Sequence, residues 1–493
     1  MKTIDIIIFI IYLICIVLFG SSFYRKNKTA LAFTLGNKTL PTWVITMSII
    51  ATFVSSISYL ALPGQAYLTN WNPFVFSLSL PLASIIAVKF FVPLYRSVNS
   101  PSAYTYLKER FGPWAKTYAS VMYLLTQLMR AGTILFLMAL PLNVLLGWNI
   151  IAIIIITGVS VMIYSLLGGI QAVVWTDAIQ AIILITGALL CIGVLMFSMP
   201  QGPGQLFQIA ADNQKFSLGS FSAELSSSTF WVVLIYGLFI NLQNFGIDQN
   251  YIQRYMSSRS EKEAQKSALW GGLLYVPVSA LFIFIGTALF SYYKINTGIL
   301  PQDVDGDKVF PWFIVNQLPV GFTGLLIASI FAAGMSTVST SLNSSATVIL
   351  TDFFKLPPEQ PETEHKSMLV LYLSSFIFSV LAIFIAVAMI NVSSALDAWW
   401  KLASIFSGGM FGLFLLGFLA PKVNNTAAII GVVIGVIVIG WMSLSPMIFI
   451  EGEMMKYASP FHSYLSIVFG TVAIFITGFL LGNAINKLFK KKQ

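Results

Sequence analysis

The 493-residue chain is 57% hydrophobic and only 9% charged, with a mean hydropathy of +0.85. A soluble domain carries about 25% charged residues, so composition alone sets this chain in a lipid bilayer as a polytopic protein. Two cysteines, both in apolar runs, and two isolated histidines exclude a disulfide framework or a histidine-based metal site. The net charge of +9 belongs to the loops, where it faces a membrane surface, and no nucleic-acid partner is expected. No nucleophile–base pair or metal cluster stands out, so the chain does not read as an enzyme.

Apolar runs of helical length fall at 4–24, 42–66, 74–97, 117–146, 148–167, 172–198, 228–249, 267–292, 311–350, 368–391, 397–420, 425–446 and 460–487. They predict an all-α protein with about 13 transmembrane helices in one transporter domain over 1–493. The N-terminal run has no cleavage pattern and reads as a retained helix. The cations gather in alternate loops: Arg25, Lys26, Lys28 and Lys38; Arg96, Lys108, Arg110 and Lys116; Arg254, Arg259, Lys262 and Lys266; and the C-terminal lysines. The positive-inside rule then places the N-terminus outside and the C-terminus in the cytoplasm, with a bacterial inner membrane as the expected location. Asp303, Asp305 and Asp307 fall on the outside and read as a solvated turn rather than a calcium loop.

The second run, TMSIIATFVSSISYLALP from Thr46, is rich in β-branched and hydroxyl residues near its centre and reads as a broken helix. Ionisable residues inside spans come next, because burying a charge in lipid is costly. Lys89 and Lys401 can snorkel. Asp397 sits at a span edge. Arg130 lies mid-span and reads either as a salt bridge to a neighbouring helix or as a bidentate clamp for a carboxylate. Asp177 opens span six, and Asp248 closes span seven after a second polar interruption at Asn241, Gln243, Asn244 and Gly246. Spans two and seven are five apart. That spacing fits two inverted five-helix repeats over 42–198 and 228–420, with an extra helix at 4–24 before them and two helices at 425–487 after them.

The ninth run contains FAAGMSTVSTSLNSS from Phe331. Ala333, Ser336, Thr337 and Thr340 share a helical face there, with Ser339 beside them. Such a face suits either a weakly held hard cation or close helix packing.

The runs LLGGIQAVVWTDAIQAIIL at 166–184, FAAGMSTVSTSLNSSATVILTDFF, PTWVITMSIIATFVSS, PSAYTYLKERFG and DQNYIQRYMSSRSEKEAQKS resemble the sodium:solute symporter family along nearly the whole chain. The resemblance implies a leucine-transporter-like fold and inward co-transport of a small solute with Na⁺. Alternating access is the expected mechanism, and the chain is expected to work as a monomer in the bilayer. It implies a common sodium site made by the carbonyls of Ala51, Val54 and Ala333 and the hydroxyls of Ser336 and Thr337. Members with a second sodium site match Asp177, Ser336, Ser339 and Thr340. In sugar-carrying members a glutamine, a glutamate and a lysine hold the hydroxyls, and the matching positions here are Ser58, Ser77 and Tyr275. Sialic-acid-carrying members resemble the chain more closely: their substrate arginine matches Arg130, and their helix-two hydroxyl pair matches Ser55 and Ser58. Phe53, where a threonine is expected, and Ser77, where some carry glutamine, depart from that pattern. The implied solute is therefore a carboxylate-bearing sugar such as sialic acid, with Asn241, Gln243 and Asn244 bonding its polar groups and Phe74, Phe76 and Phe245 as gates. A neutral sugar or polyol, or a monocarboxylate or amino acid, is the alternative cargo.

Overall fold

A computed structural model describes residues 3–302, 304, 306–356, 363–391, 408–449 and 452–490. The expectations for Asp303, Asp305, Asp397 and Lys401 lie outside these residues. Among the described residues ten helices are long and apolar enough to cross a membrane, and a bent pair makes an eleventh. They include α1 (Thr3–Ser21), the bent pair α2 (Thr42–Phe53) and α3 (Ser56–Leu68), α4 (Asn72–Val98), α5 (Pro113–Leu146) and α6 (Ile150–Phe197). Next come α7 (Phe230–Ile247), continued by the short α8 (Gln249–Met256), then α9 (Glu261–Ile295), α10 (Phe322–Val348), α11 (Glu364–Ala388), α12 (Asn425–Ile448) and α13 (Leu465–Lys490).

The expected spans map onto these helices with local differences. The expected spans 148–167 and 172–198 are the two arms of α6. They are separated by a break at Gly169, where φ is 54° and ψ is −152°, a region that only glycine enters freely. A Cβ there would also meet Asn27 Oδ1 at 2.7 Å and Phe33 Cα at 2.8 Å. The expected span 397–420 is described only as the short apolar helix Gly408–Leu419. The expected run 311–350 is two helices: Val309–Asn316 ends before a turn at Gly321, whose φ is 91°, and α10 starts afresh at Phe322.

Helix α10 is the axis of the bundle. Nearly all of its side chains are buried, and it packs on α1, α5, α6, α3 and α2. Asp5 of α1 accepts the amides of Gly321 at 2.7 Å and Gly324 at 3.1 Å, satisfying donors at the start of α10 that have no partner within the helix. Helix α9 lies along both halves of the bent pair.

The bend of 54° between α2 and α3 has a readable cause. Val54 and Ser55 are extended, with ψ of 115° and 171°. Their β-branched and hydroxyl side chains compete with the helical ladder. Ser55 Oγ then accepts the Ser58 amide at 3.4 Å and caps α3. The second interruption is at Asp248, with φ −77° and ψ 119°, whose carboxylate accepts the Asn250 amide at 2.8 Å and caps α8. The expected span seven thus does not end at its polar stretch. It continues through eight buried residues to Met256.

Candidate functional site

Two polar clusters lie at the two breaks. The first is built on the bend. Because Val54 and Ser55 leave the helix, the carbonyls of Ala51 and Val54 are released from the α2–α3 ladder, and the Ser58 amide goes to Ser55 Oγ instead. Facing this bend on α10, Thr337 Oγ1 donates to the Ala333 carbonyl at 3.1 Å. Ser48, one turn before Ala51, and Ser336, beside Thr337, both donate to Asp177 at 2.6 Å. That bridge draws the α2 and α10 faces together around the expected sodium ligands. All five supply neutral oxygen, the ligand type that a hard monovalent cation takes, and so fit Na⁺ chemically.

The second expected ion set is also gathered, but around a guanidinium. Arg254 of α8 is fully buried. Its Nη2 donates to Asp177 Oδ2 at 2.6 Å and Thr340 Oγ1 at 2.8 Å, its Nε to Ser48 Oγ at 2.7 Å, and its Nη1 to the Asn250 carbonyl at 2.5 Å. Ser339 Oγ turns to the Ser336 carbonyl at 3.1 Å. Of the positions expected for a second sodium, Asp177 and Thr340 therefore already hold a tethered cation. Arg254 was assigned above to a cytoplasmic loop; the structure corrects this. Its segment is polar, so hydropathy reads it as solvent-facing, yet Gln249/Gln253 and Asn250/Arg254 repeat at i, i+4 directly after a break. That helical spacing of polar pairs was the available signal.

Arg130 is the opposite case. It is only partly buried, and among the described residues its one hydrogen bond is a long one of 3.4 Å from Nη2 to the Thr52 carbonyl, at the bend itself. Among the described residues no carboxylate lies within ion-pair distance of it. The salt-bridge reading is thus not realised, although Asp248 stands within Coulombic reach. Arg130 therefore connects the two breaks, touching one and facing the charge at the other.

On α7, Asn241 Nδ2 donates to Ser79 Oγ at 2.9 Å, and among the described residues Asn241 Oδ1 and Gln243 Oε1 are buried acceptors with no partner. Each such orphan costs about 1–3 kcal/mol unless something donates to it. Asn244 is partly buried on the same helix. Ser55 Oγ and Ser58 Oγ are 3.5 Å apart. Ser77 is less available, since its Oγ donates to Ser279 Oγ at 2.7 Å.

Phe74 stacks edge-on to Trp71, and Phe76 rests on Tyr236. Phe245 is fully buried. The ring at the bend is Phe53, which meets Tyr251 and Tyr275 at 4.9 Å and Phe245 at 5.7 Å.

Among the described residues no group of three or more His, Cys, Asp or Glu forms a metal cluster. The family model for the sodium:solute symporter family matches residues 33–435. The chain is 30% identical over 473 residues to the sodium/sialic acid symporter SiaT of Proteus mirabilis, covering 95% of this chain and 92% of that one. It is 30% identical over 482 residues to the sodium/sialic acid symporter NanT of Aliivibrio fischeri, with 97% and 92% covered. Sodium-coupled monocarboxylate transporter 2 of Mus musculus is 28% identical over 438 residues, 86% of this chain and 69% of that one. The structure superimposes on a Na⁺-coupled sialic acid symporter in a substrate-bound outward-open state with TM-score 0.89, at 28% identity and 98% coverage of both chains. The nucleobase–cation symporter Mhp1, closed around bromovinylhydantoin, matches at TM-score 0.59 and 14% identity over 92% of this chain and 94% of that one, and shares the leucine-transporter-like fold.

Proposed function

The chain belongs to the sodium:solute symporter family, a multi-pass membrane transporter coupled to Na⁺, and on that premise we propose that it imports a carboxylate-bearing sugar of the sialic acid kind. The observation that carries this reading is the Arg130 guanidinium, set at the bend of α2–α3 with a single weak bond to protein. A planar carboxylate satisfies its remaining donors in bidentate geometry. The relatives named for sialic acid and for monocarboxylates both carry an acid, so they favour this class over a neutral sugar. The unpartnered Asn241 Oδ1 and Gln243 Oε1 favour a cargo with hydroxyl or amide N–H donors over a bare monocarboxylate.

We assign the transported Na⁺ to Ala51, Val54, Ala333, Ser336 and Thr337. Na⁺ joining α2 to α10 favours one arrangement of the two, and the solute, held at Arg130, favours the same arrangement; that shared preference is the coupling. Each charge moved fully across a 100 mV potential adds about 2.3 kcal/mol of drive. Arg254 in the Asp177 cluster supports a single tightly coupled Na⁺, because the guanidinium supplies the positive charge that a second ion would bring. The two breaks, at Val54 and Asp248, support inverted repeats over 42–198 and 228–420. The loop cations support an outside N-terminus and a cytoplasmic C-terminus. Both breaks, Arg130 and α10 belong to one chain, so the transport unit is the monomer.

The test is uptake of labelled sialic acid into proteoliposomes with an imposed Na⁺ gradient. Wild type accumulates it only with Na⁺, and Arg130→Ala does not while remaining folded. Accumulation of a neutral sugar in place of sialic acid, unchanged by Arg130→Ala, would contradict the assignment.

A further inference from the structure

Away from the transport path, the structure has an open cavity of about 510 Å³, within the ~300–1,000 Å³ usual for small-ligand sites. Its walls come from three separate segments: Phe23, Lys26 and Thr39 from the connection between α1 and α2, Gln171 and Trp175 from the start of the second half of α6, and Arg259 after α8. Lys26 and Arg259 give it two positive charges, and among the described residues no carboxylate lines it. Among the described residues neither cation is used up: Arg259 commits only Nε, to the Thr39 carbonyl at 2.9 Å, and Lys26 Nζ lies 5.9 Å over the Phe23 ring. Gln171 is held by the Gly36 carbonyl at 3.3 Å. Gly36, Asn37 and Lys38 all have left-handed φ, of 57°, 55° and 57°. Two of the three are not glycine, and strain of that kind is kept where surrounding structure needs a particular backbone path.

The cavity also has a depth marker. Trp175 packs edge-on against Trp43 at 5.5 Å, and Trp43 is 54% exposed on the outside of the bundle. Exposed tryptophan of this kind sits at the level of lipid headgroups. Two free cations, an aromatic wall and an opening at headgroup level describe one ligand chemistry.

We propose that this cavity binds the phosphate-bearing headgroup of an anionic lipid of the cytoplasmic leaflet, with Lys26 and Arg259 as its charge partners. The leaflet rests on the orientation given above; the site itself does not depend on the cargo. An occupant ties the start of α2 to the segment after α8, and so restrains the inner end of the first broken helix.

The experiment is thermal unfolding of the full chain in neutral detergent, titrated with phosphatidylglycerol. The lipid raises the wild-type Tm by about 2–4 °C, and phosphatidylcholine does not. Lys26→Ala/Arg259→Ala loses the shift. Lys26→Arg/Arg259→Lys, which keeps both charges, retains it, as does Lys262→Ala/Lys266→Ala, which removes two exposed cations outside the cavity. An undiminished shift in the Lys26→Ala/Arg259→Ala protein would overturn the proposal. So would equal losses in the two alanine pairs, which would mark a diffuse charge effect. A full shift from inorganic phosphate alone would assign the cavity to a free anion and overturn the lipid. Uptake is not part of this readout, so failure of the cargo assignment leaves it unaffected.

Discussion

Two arginines at membrane depth, Arg130 and Arg254, have opposite surroundings. Arg254 makes four hydrogen bonds, one of them to a buried carboxylate, and is fully buried. Arg130 makes one long bond to a carbonyl and is partly open. A charge in lipid must be compensated, so the difference separates a residue compensated by the protein from one that the proposed cargo would compensate. In Arg254 and Asp177 the chain has closed an internal ion pair beside the proposed ion site. In Arg130 it has left a cation at the bend with room for a partner.

The largest effect is expected at the closed pair. Arg254→Ala strands Asp177, buried and charged, and costs about 3–5 kcal/mol, read as loss of folded protein in fluorescence-detected size exclusion and a lowered Tm. Arg254→Ala/Asp177→Asn recovers part of that loss, because no bare charge remains. If Arg254→Ala unfolds at the wild-type temperature, the contrast between the two arginines fails.

Arg130→Ala comes second and acts on binding alone. Removing a charge-assisted contact of about 1.5–3 kcal/mol weakens the solute Kd by roughly 10- to 150-fold with Tm unchanged. A lowered Tm with unaltered Kd would make Arg130 structural. Third, Thr337→Ala raises the Na⁺ concentration for half-maximal uptake about tenfold, the size of one lost contact to a charge, and Thr337→Ser stays near wild type. Equal sodium dependence in both would move the ion elsewhere.

The smallest effect concerns a third cation held by carbonyls, outside the membrane. Lys215 donates to the carbonyls of Tyr67 at 2.6 Å and Thr69 at 2.9 Å, at the end of α3. Burial, then Lys294 nearby, pulls its amine down to about 8. A base whose folded pKa is depressed binds fewer protons than the unfolded chain between the two values. Its burial therefore costs stability below pH 8, and that cost fades as pH rises from 8 toward the ordinary lysine range. Lys215→Met should flatten this rise, measured as Tm against pH from 7.5 to 10; an unchanged slope would separate Lys215 from it.

The bend at Val54 and the hydroxyl face of α10 were legible in the sequence because both are local. Hydroxyl and β-branched residues at successive positions compete with the ladder wherever they stand, and Ala333, Ser336, Thr337 and Thr340 share a face by spacing alone. Arg130 was legible as an anomaly, since one cation in an apolar span needs no tertiary knowledge to be noticed. Helix α8 was not legible. Its eight residues are mostly polar and all buried, because their partners arrive from distant segments, Asp177 and Ser48 lying 77 and 206 positions from Arg254. Hydropathy sums along the chain and cannot see such partners. The break at Gly169 was legible, as the gap between the expected spans 148–167 and 172–198, and the glycine's positive φ of 54° marks it.

The most direct test of the account is binding of sialic acid and of its neutral carboxamide to wild type and Arg130→Ala at fixed Na⁺, by isothermal titration. The account predicts that wild type prefers the acid and that the preference disappears in Arg130→Ala, because the carboxylate and the guanidinium are one interaction. A preference that survives in Arg130→Ala, or a wild type that binds acid and amide alike, would contradict it.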